Sequence, residues 1–163
     1  MIEVVRDHVA GLGRELLIVT NNPAPYDRLQ VPLVGDVIPD KGPLGGIYTA
    51  LSAAAYPHVL VVACDMPWLN RDLLVHLIHL RATADVVVPR WGKFPEPLHA
   101  VYSKNCLKPI AAQIAAGNLK ITRFFGDVSV RFVDRPEIAR FDPDGRSFTN
   151  INAPDDLDQQ KTP

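Results

Sequence analysis

Val59-Leu60-Val61-Val62-Ala63 runs without a polar break into Cys64-Asp65-Met66-Pro67, and this junction constrains the fold more than any other stretch of the chain. Consecutive apolar residues closed by a turn-forming Asp and Pro read as a strand buried on both faces, the kind that parallel sheets place between two layers of helix. Open α/β sheets bind ligands outside the carboxyl ends of such strands, which is where Asp65 falls. A carboxylate in that crevice can hold a divalent cation such as Mg²⁺, with water and phosphate oxygens completing the shell. The same residues also suit a plain turn, since Asp before Pro ends many strands.

The surrounding pattern alternates strand and helix. Leu16-Leu17-Ile18-Val19-Thr20 and Val86-Val87-Val88 are further strand-like runs. Helical stripes lie between them, first Ile47, Ala50, Leu51 and Ala54, then Leu73, Leu77 and Leu80 with Leu74 and Ile78. This order predicts an α/β fold of mostly parallel strands covered by helices. Leu107, Ile110, Ala111 and Ile114 stripe a third helix, which Ser103 can cap and Gly117 can stop. Two segments alternate instead: Leu98, Ala100 and Tyr102 against His99 and Val101, and Val128, Val130 and Phe132 against Ser129 and Arg131. They predict half-exposed strands towards one edge, antiparallel ones among them, so the sheet should be mixed. Residues 1–12 read as a helix with Val5, Val9 and Leu12 on one face. Parallel α/β sheets normally open with a strand whose first turn often holds the phosphate loop, and these residues contain no glycine-rich loop of that kind.

The 163 residues suit one domain. With 17 Lys plus Arg against 18 Asp plus Glu, nothing in the charge supports non-specific nucleic-acid or anionic-membrane binding. Apolar runs stay far below the roughly 20 residues of a membrane-spanning helix, and acidic residues interrupt the amino terminus, so a cytoplasmic protein is expected. Cys64 and Cys106 form neither a disulfide framework nor a metal cluster and are expected to be small buried thiols.

Other candidate groups fall at similar junctions. Gly42-Pro43-Leu44-Gly45-Gly46 puts two glycines at a helix start, where backbone amides can face an anion or a nucleoside, or where a tight loop simply needs a glycine cap. Asp36 and Asp40 precede it and can accept bonds from a ribose or base, or cap turns. Asn150 and Asn152 share one face of a short extended run. Asn152 also suits the cap of a helix starting at Ala153-Pro154, which leaves Asn150 as the better polar contact. His99 is expected on the exposed face of its strand without a nucleophile at base spacing. His58, His76 and His79 show no zinc pattern, and Lys93, Lys120 and Arg123 are available phosphate partners.

In this order Thr20-Asn21-Asn22, Gly42-Pro43-Leu44-Gly45-Gly46-Ile47, Cys64-Asp65-Met66-Pro67, Glu96-Pro97-Leu98-His99-Ala100-Val101-Tyr102 and Phe148-Thr149-Asn150-Ile151-Asn152-Ala153-Pro154-Asp155-Asp156-Leu157 resemble the molybdenum cofactor guanylyltransferases. The resemblance implies a three-layer, Rossmann-like nucleotidyltransferase domain over residues 1–157 with a mixed, mostly parallel sheet, and a tail at 158–163. It implies transfer of GMP from GTP to molybdopterin with release of pyrophosphate and a requirement for Mg²⁺. On this resemblance Asp65 is the catalytic metal ligand that also approaches the nucleotide. Asn21, Asp36, Gly42, Pro43, Leu44 and Gly45 bind the nucleotide, and Asn150 and Asn152 lie on the pterin or metal side. The family opens with a strand and a Leu-Ala-Gly-Gly loop, then Arg-Met-Gly and a lysine, that cradle the triphosphate. Met1 resembles the start of the helix beyond them, so one βα unit of roughly 30 residues, with the first strand, is expected to be missing.

The implied partners are GTP and molybdopterin, with no nucleic acid and no membrane. The chain alone is compatible with a monomer, a homo-oligomer or contact with molybdoenzyme maturation partners. A relative that uses CTP or makes a sugar nucleotide is the alternative within the class. A remnant without catalysis, acting as a binding or assembly module, is the alternative outside it.

Overall fold

The computed structural model describes residues 1–150. Helix α1 (Ile2–Val9) leads to the short strand β1 (Ile18–Val19), a 3-10 segment (Ala24–Leu29) and β2 (Leu33–Val34). Then come α2 (Gly42–Ala53), β3 (His58–Val62), α3 (Arg71–His79), β4 (Val86–Arg90) and β5 (His99–Ser103). Helix α4 (Leu107–Ala115), β6 (Val130–Asp134) and the single turn α5 (Arg135–Ile138) follow, and a 3-10 turn (Arg146–Phe148) lies near the end of the described residues. Strands β3, β5, β4 and β6 form one sheet in that order, with β5 antiparallel to both neighbours and β4 parallel to β6. Strands β1 and β2 pair in parallel as a separate sheet.

Side-chain alternation along the strands separates two cores, because successive residues point to opposite faces. Val86, Val88, Ala100 and Tyr102 pack under Leu44, Ile47 and Leu51 of α2 and Ile110 and Ile114 of α4. Val87, Val101 and Val133 face Leu73 and Leu77 of α3 and Ile138 of α5. The three-layer mixed sheet expected from the sequence is therefore present. Val5 of α1 packs with Met66, Leu69 and Leu74, which docks the amino-terminal helix beside the turn that carries Asp65. At the amino end of β4, Asp85 accepts bonds from Ser103 Oγ, Asn105 Nδ2 and both the amide and hydroxyl of Ser129. Those donors, Ser129 first, hold its carboxyl down at about 2.

Several sequence expectations are corrected. The segment around His99 is not a half-exposed edge: β5 is central, all five of its residues are buried, and His99 has no exposed surface. Its alternation reflects a polar residue enclosed by a later loop. Strand β6 does lie at the edge and is half-buried, but it runs parallel to β4. Ser103 donates its hydroxyl to Asp85 and makes no side-chain cap. Cys64 is exposed, while Cys106 is buried as expected. Gly42 to Gly46 lie inside the first turns of α2, whose cap position is Lys41, so the glycines neither cap the helix nor form a loop before it.

The most consequential correction concerns β3, which is half-buried along its length where full burial was expected. Glu15, just before β1, accepts a bond from the Ala55 amide at 2.9 Å, and Ala55 leads into β3. The two strands therefore start at the same end. Among the described residues β3 pairs only with β5, and β1 only with β2. Between their facing edges lies an apolar cavity of about 1090 Å³, lined by Val5 and Val9 of α1, Ile18 and Val19, Ile47 and Ala50, and all of β3. Ala63 bonds to Leu98 and Lys104 to Pro57 on the β5 side. By the alternation of an antiparallel ladder, Leu60 and Val62 then turn their amides and carbonyls into the cavity.

Candidate nucleotide site

The carboxyl ends of β1, β2 and β3 meet the amino-terminal half of α2. Beyond β1 and β2, Asn21 and Asp36 hold each other: Asn21 Nδ2 donates to Asp36 Oδ2 and the Asp36 amide donates to Asn21 Oδ1, both at 2.8 Å. Asn21 is exposed and Asp36 half-buried, so the couple offers an amide donor beside carboxylate acceptors at the surface. Gly45 fits tightly against the β2–α2 turn, since a Cβ there would sit 2.8 Å from Lys41 Cβ and 3.3 Å from the Ile38 carbonyl. Its amide donates to the Lys41 carbonyl. Gly45 is thus required for packing, and Leu44 is a core residue with no exposed surface. Gly42 and Pro43 are the exposed members of the motif, and Gly42 has the positive φ that favours glycine.

Asp65 stands at the carboxyl end of β3 and lines the cavity together with Thr20, Pro43 and Gly46. Its Oδ1 is buried and without a hydrogen-bond partner among the described residues. Leaving a buried carboxylate oxygen unpaired costs free energy that a bound cation would offset. No group of three or more His, Cys, Asp or Glu side chains gathers into a metal cage among the described residues. A lone carboxylate with water and substrate phosphate oxygens suits Mg²⁺, which seldom uses an all-protein cage. The residues present therefore fit Mg²⁺ supplied with a nucleotide.

On the other side of Asp65, a loop folds over β5. Asp142 accepts from the Arg146 and Ser147 amides, Ser147 Oγ accepts from the Asn70 amide, and Asn70 caps α3. Phe148 then covers His99, with ring centroids 5.1 Å apart. Gly145 takes φ +65° under Trp91, and an added Cβ would run into the indole. Gly145→Ala is accordingly expected to cost about 2–3 kcal/mol from overpacking and backbone strain, read as a lower urea midpoint. Asn150 follows this loop and is exposed. Asn152, its expected helix cap and the tail lie outside the described residues. Lys93 reaches over the exposed Phe94 ring, and His76 pairs with Glu137 at 2.7 Å.

Burial pushes His99 down to about 4, with Asp142 pulling weakly the other way. Neither ring nitrogen has a partner among the described residues. The folded protein then binds a proton less readily than the unfolded chain, whose histidine titrates near 6.5. Stability is expected to fall as pH drops from about 6.5 towards 4, and His99→Leu to flatten that slope in urea titrations. Glu96 is half-buried and desolvation raises its carboxyl.

Asp65 lines the cavity with Thr20, Pro43 and Gly46, while Asn21 and Asp36 are bonded to each other just beyond Thr20 and outside the lining. Sequence reasoning missed Thr49, which reaches Asp36 from inside α2. Its only signal was a polar residue within an apolar helical stripe.

The fold is an α/β domain with a mixed sheet between helical layers. Residues 1–130 match the family model of the MobA-like NTP transferase domain. The chain is 32% identical over 155 residues to the molybdenum cofactor guanylyltransferase of Syntrophotalea carbinolica, covering 94% of this chain and 74% of that one. It is also 32% identical over 160 residues to the same enzyme of Desulfosudis oleivorans, covering 98% and 79%. Among solved structures, molybdopterin-guanine dinucleotide biosynthesis protein A of Archaeoglobus fulgidus superposes with a TM-score of 0.79 at 26% identity, covering 97% of this chain and 82% of that one. The 2-C-methyl-D-erythritol 4-phosphate cytidylyltransferase of Thermus thermophilus shares the fold, with a TM-score of 0.69 at 16% identity over 97% and 85%. The chain belongs to the MobA-like NTP transferase family, a family of nucleotidyltransferases.

Proposed function

We propose that this chain carries the nucleoside-binding and metal-binding parts of a cytoplasmic guanylyltransferase that joins GMP from GTP to molybdopterin. The observation that carries the reading is the buried, unpartnered Oδ1 of Asp65 in a cavity that Thr20, the neighbour of Asn21, also lines. The acceptor is a phosphate oxygen of the pterin, which bonds to the α-phosphorus of GTP. The bridging α–β P–O bond breaks, and pyrophosphate leaves with its electron pair. No protein nucleophile is needed in such a transfer, because alignment of the reactants and neutralisation of charge supply most of the acceleration.

In this reading Asp65 holds Mg²⁺, which when bound screens the phosphate charge and steadies the leaving pyrophosphate. Asn21 and Asp36 fix the nucleoside, and Gly42 and Pro43 form the wall at the start of α2. Asn150 and Asn152 are assigned to binding of the pterin. The apolar cavity takes one further parallel strand, whose two edges would satisfy β1 and β3 and whose carboxyl end would bring backbone amides to the triphosphate.

Thermal shift with GTP, CTP and UTP, each with and without Mg²⁺, tests the reading. Stabilisation by GTP that needs Mg²⁺ is expected, and stabilisation by CTP alone would overturn the guanylyl assignment.

A further inference from the structure

Thr49 is a polar side chain in the middle of α2 with no exposed surface. A threonine inside a helix commonly returns its hydroxyl to the carbonyl four residues back. Here Oγ1 is directed out of the helix to the end of β2. It accepts from the Val37 amide at 3.0 Å and donates to Asp36 Oδ1 at 3.4 Å. The other carboxylate oxygen of Asp36 takes the Asn21 amide at 2.8 Å, and the Asp36 amide returns a bond to Asn21. Both carboxylate oxygens are thus held from opposite sides, one by the β1 loop and one by the helix. Each oxygen keeps a lone pair for a ligand.

We infer that Thr49 is a positioning residue: through Asp36 it sets the orientation in which the Asn21–Asp36 couple meets the nucleoside. The inference rests on the nucleotide-binding reading above and goes beyond it by placing part of nucleoside affinity in a buried helix residue that touches no ligand. A carboxylate fixed in its binding rotamer loses less freedom when the nucleoside arrives, so the benefit should appear in nucleoside affinity and not in phosphate affinity.

Calorimetric titration of the full chain with Mg²⁺-GTP and, separately, with inorganic triphosphate tests this. Thr49→Val keeps the volume and removes the hydroxyl. It is expected to weaken GTP about tenfold, the scale of one hydrogen bond to a charged group, with triphosphate affinity unchanged. Thr49→Ser is expected to stay within about twofold of the parent protein, because the hydroxyl is restored. In an Asp36→Ala background, Thr49→Val should cause no further loss of GTP affinity, since its effect runs through the carboxylate. Parent-like GTP affinity in Thr49→Val, an equal loss for triphosphate, or an additive loss in the Asp36→Ala background would each overturn the inference. Circular dichroism checks each fold, and Thr49→Ala replaces Thr49→Val if the latter does not fold. A parent chain that ignores GTP in every form would instead overturn the proposed function, and this inference with it.

Discussion

Asp65→Asn is expected to lower Mg²⁺-dependent guanylyl transfer by about two to three orders of magnitude, the usual scale for removing one preorganised electrostatic partner of a transition state. Folding stability should hold in the same variant. Oδ1 of Asp65 is buried and has no hydrogen-bond partner among the described residues, so an amide of the same shape breaks no bond that the fold relies on. Loss of activity without loss of stability separates a ligand-holding carboxylate from a structural turn. If Asp65 merely shaped the turn before Pro67, its replacement would lower the thermal midpoint and leave Mg²⁺-dependent GTP binding in place. Activity within a few-fold of the parent would remove Asp65 from the metal role.

Hydrogen exchange along β3 is expected to alternate sharply. Ala63 and Lys104 bracket the ladder to β5, so Val59 and Val61 donate within it while Leu60 and Val62 point into the cavity. Ladder amides in the core of a domain exchange only on opening of most of the structure, whereas amides without partners need little opening. For a domain of ordinary stability the difference should exceed about a thousandfold. The cavity volume of about 1090 Å³ agrees with one extended segment. At about 4.8 Å between strands, about 3.3 Å per residue and about 10 Å between layers, a strand residue fills on the order of 160 Å³, so about seven residues fit. An apolar strand docked there should slow Leu60, Val62 and Val19 together. Uniform protection along β3 in the chain alone would show that the two edges already meet, and the strand proposal would fail.

Much of the scaffold was legible because apolar periodicity records which faces are covered. The stripes of α2, α3 and α4 and the runs of β3 and β4 fall where the alternation of strand and helix placed them. The central, antiparallel β5 was misplaced to an edge because burial of His99 comes from Phe148, about fifty residues later, and no local pattern encodes that cover. Burial of β3 was overestimated for the converse reason. Its sequence is that of an interior strand, yet among the described residues only one of its edges is paired. For the site, carboxylates and amides at strand ends could be named from position alone. The hydrogen bonds joining Asn21, Asp36 and Thr49 required the packing of α2 against β2.

The most direct test of the account is to incubate the protein purified from its native source with molybdopterin, Mg²⁺ and GTP labelled at the α-phosphate, and to follow the label. Label transferred to the pterin with release of unlabelled pyrophosphate, and lost on chelation of Mg²⁺, is the predicted result. Label that stays in GTP, or transfer that occurs only when CTP replaces GTP, would contradict it.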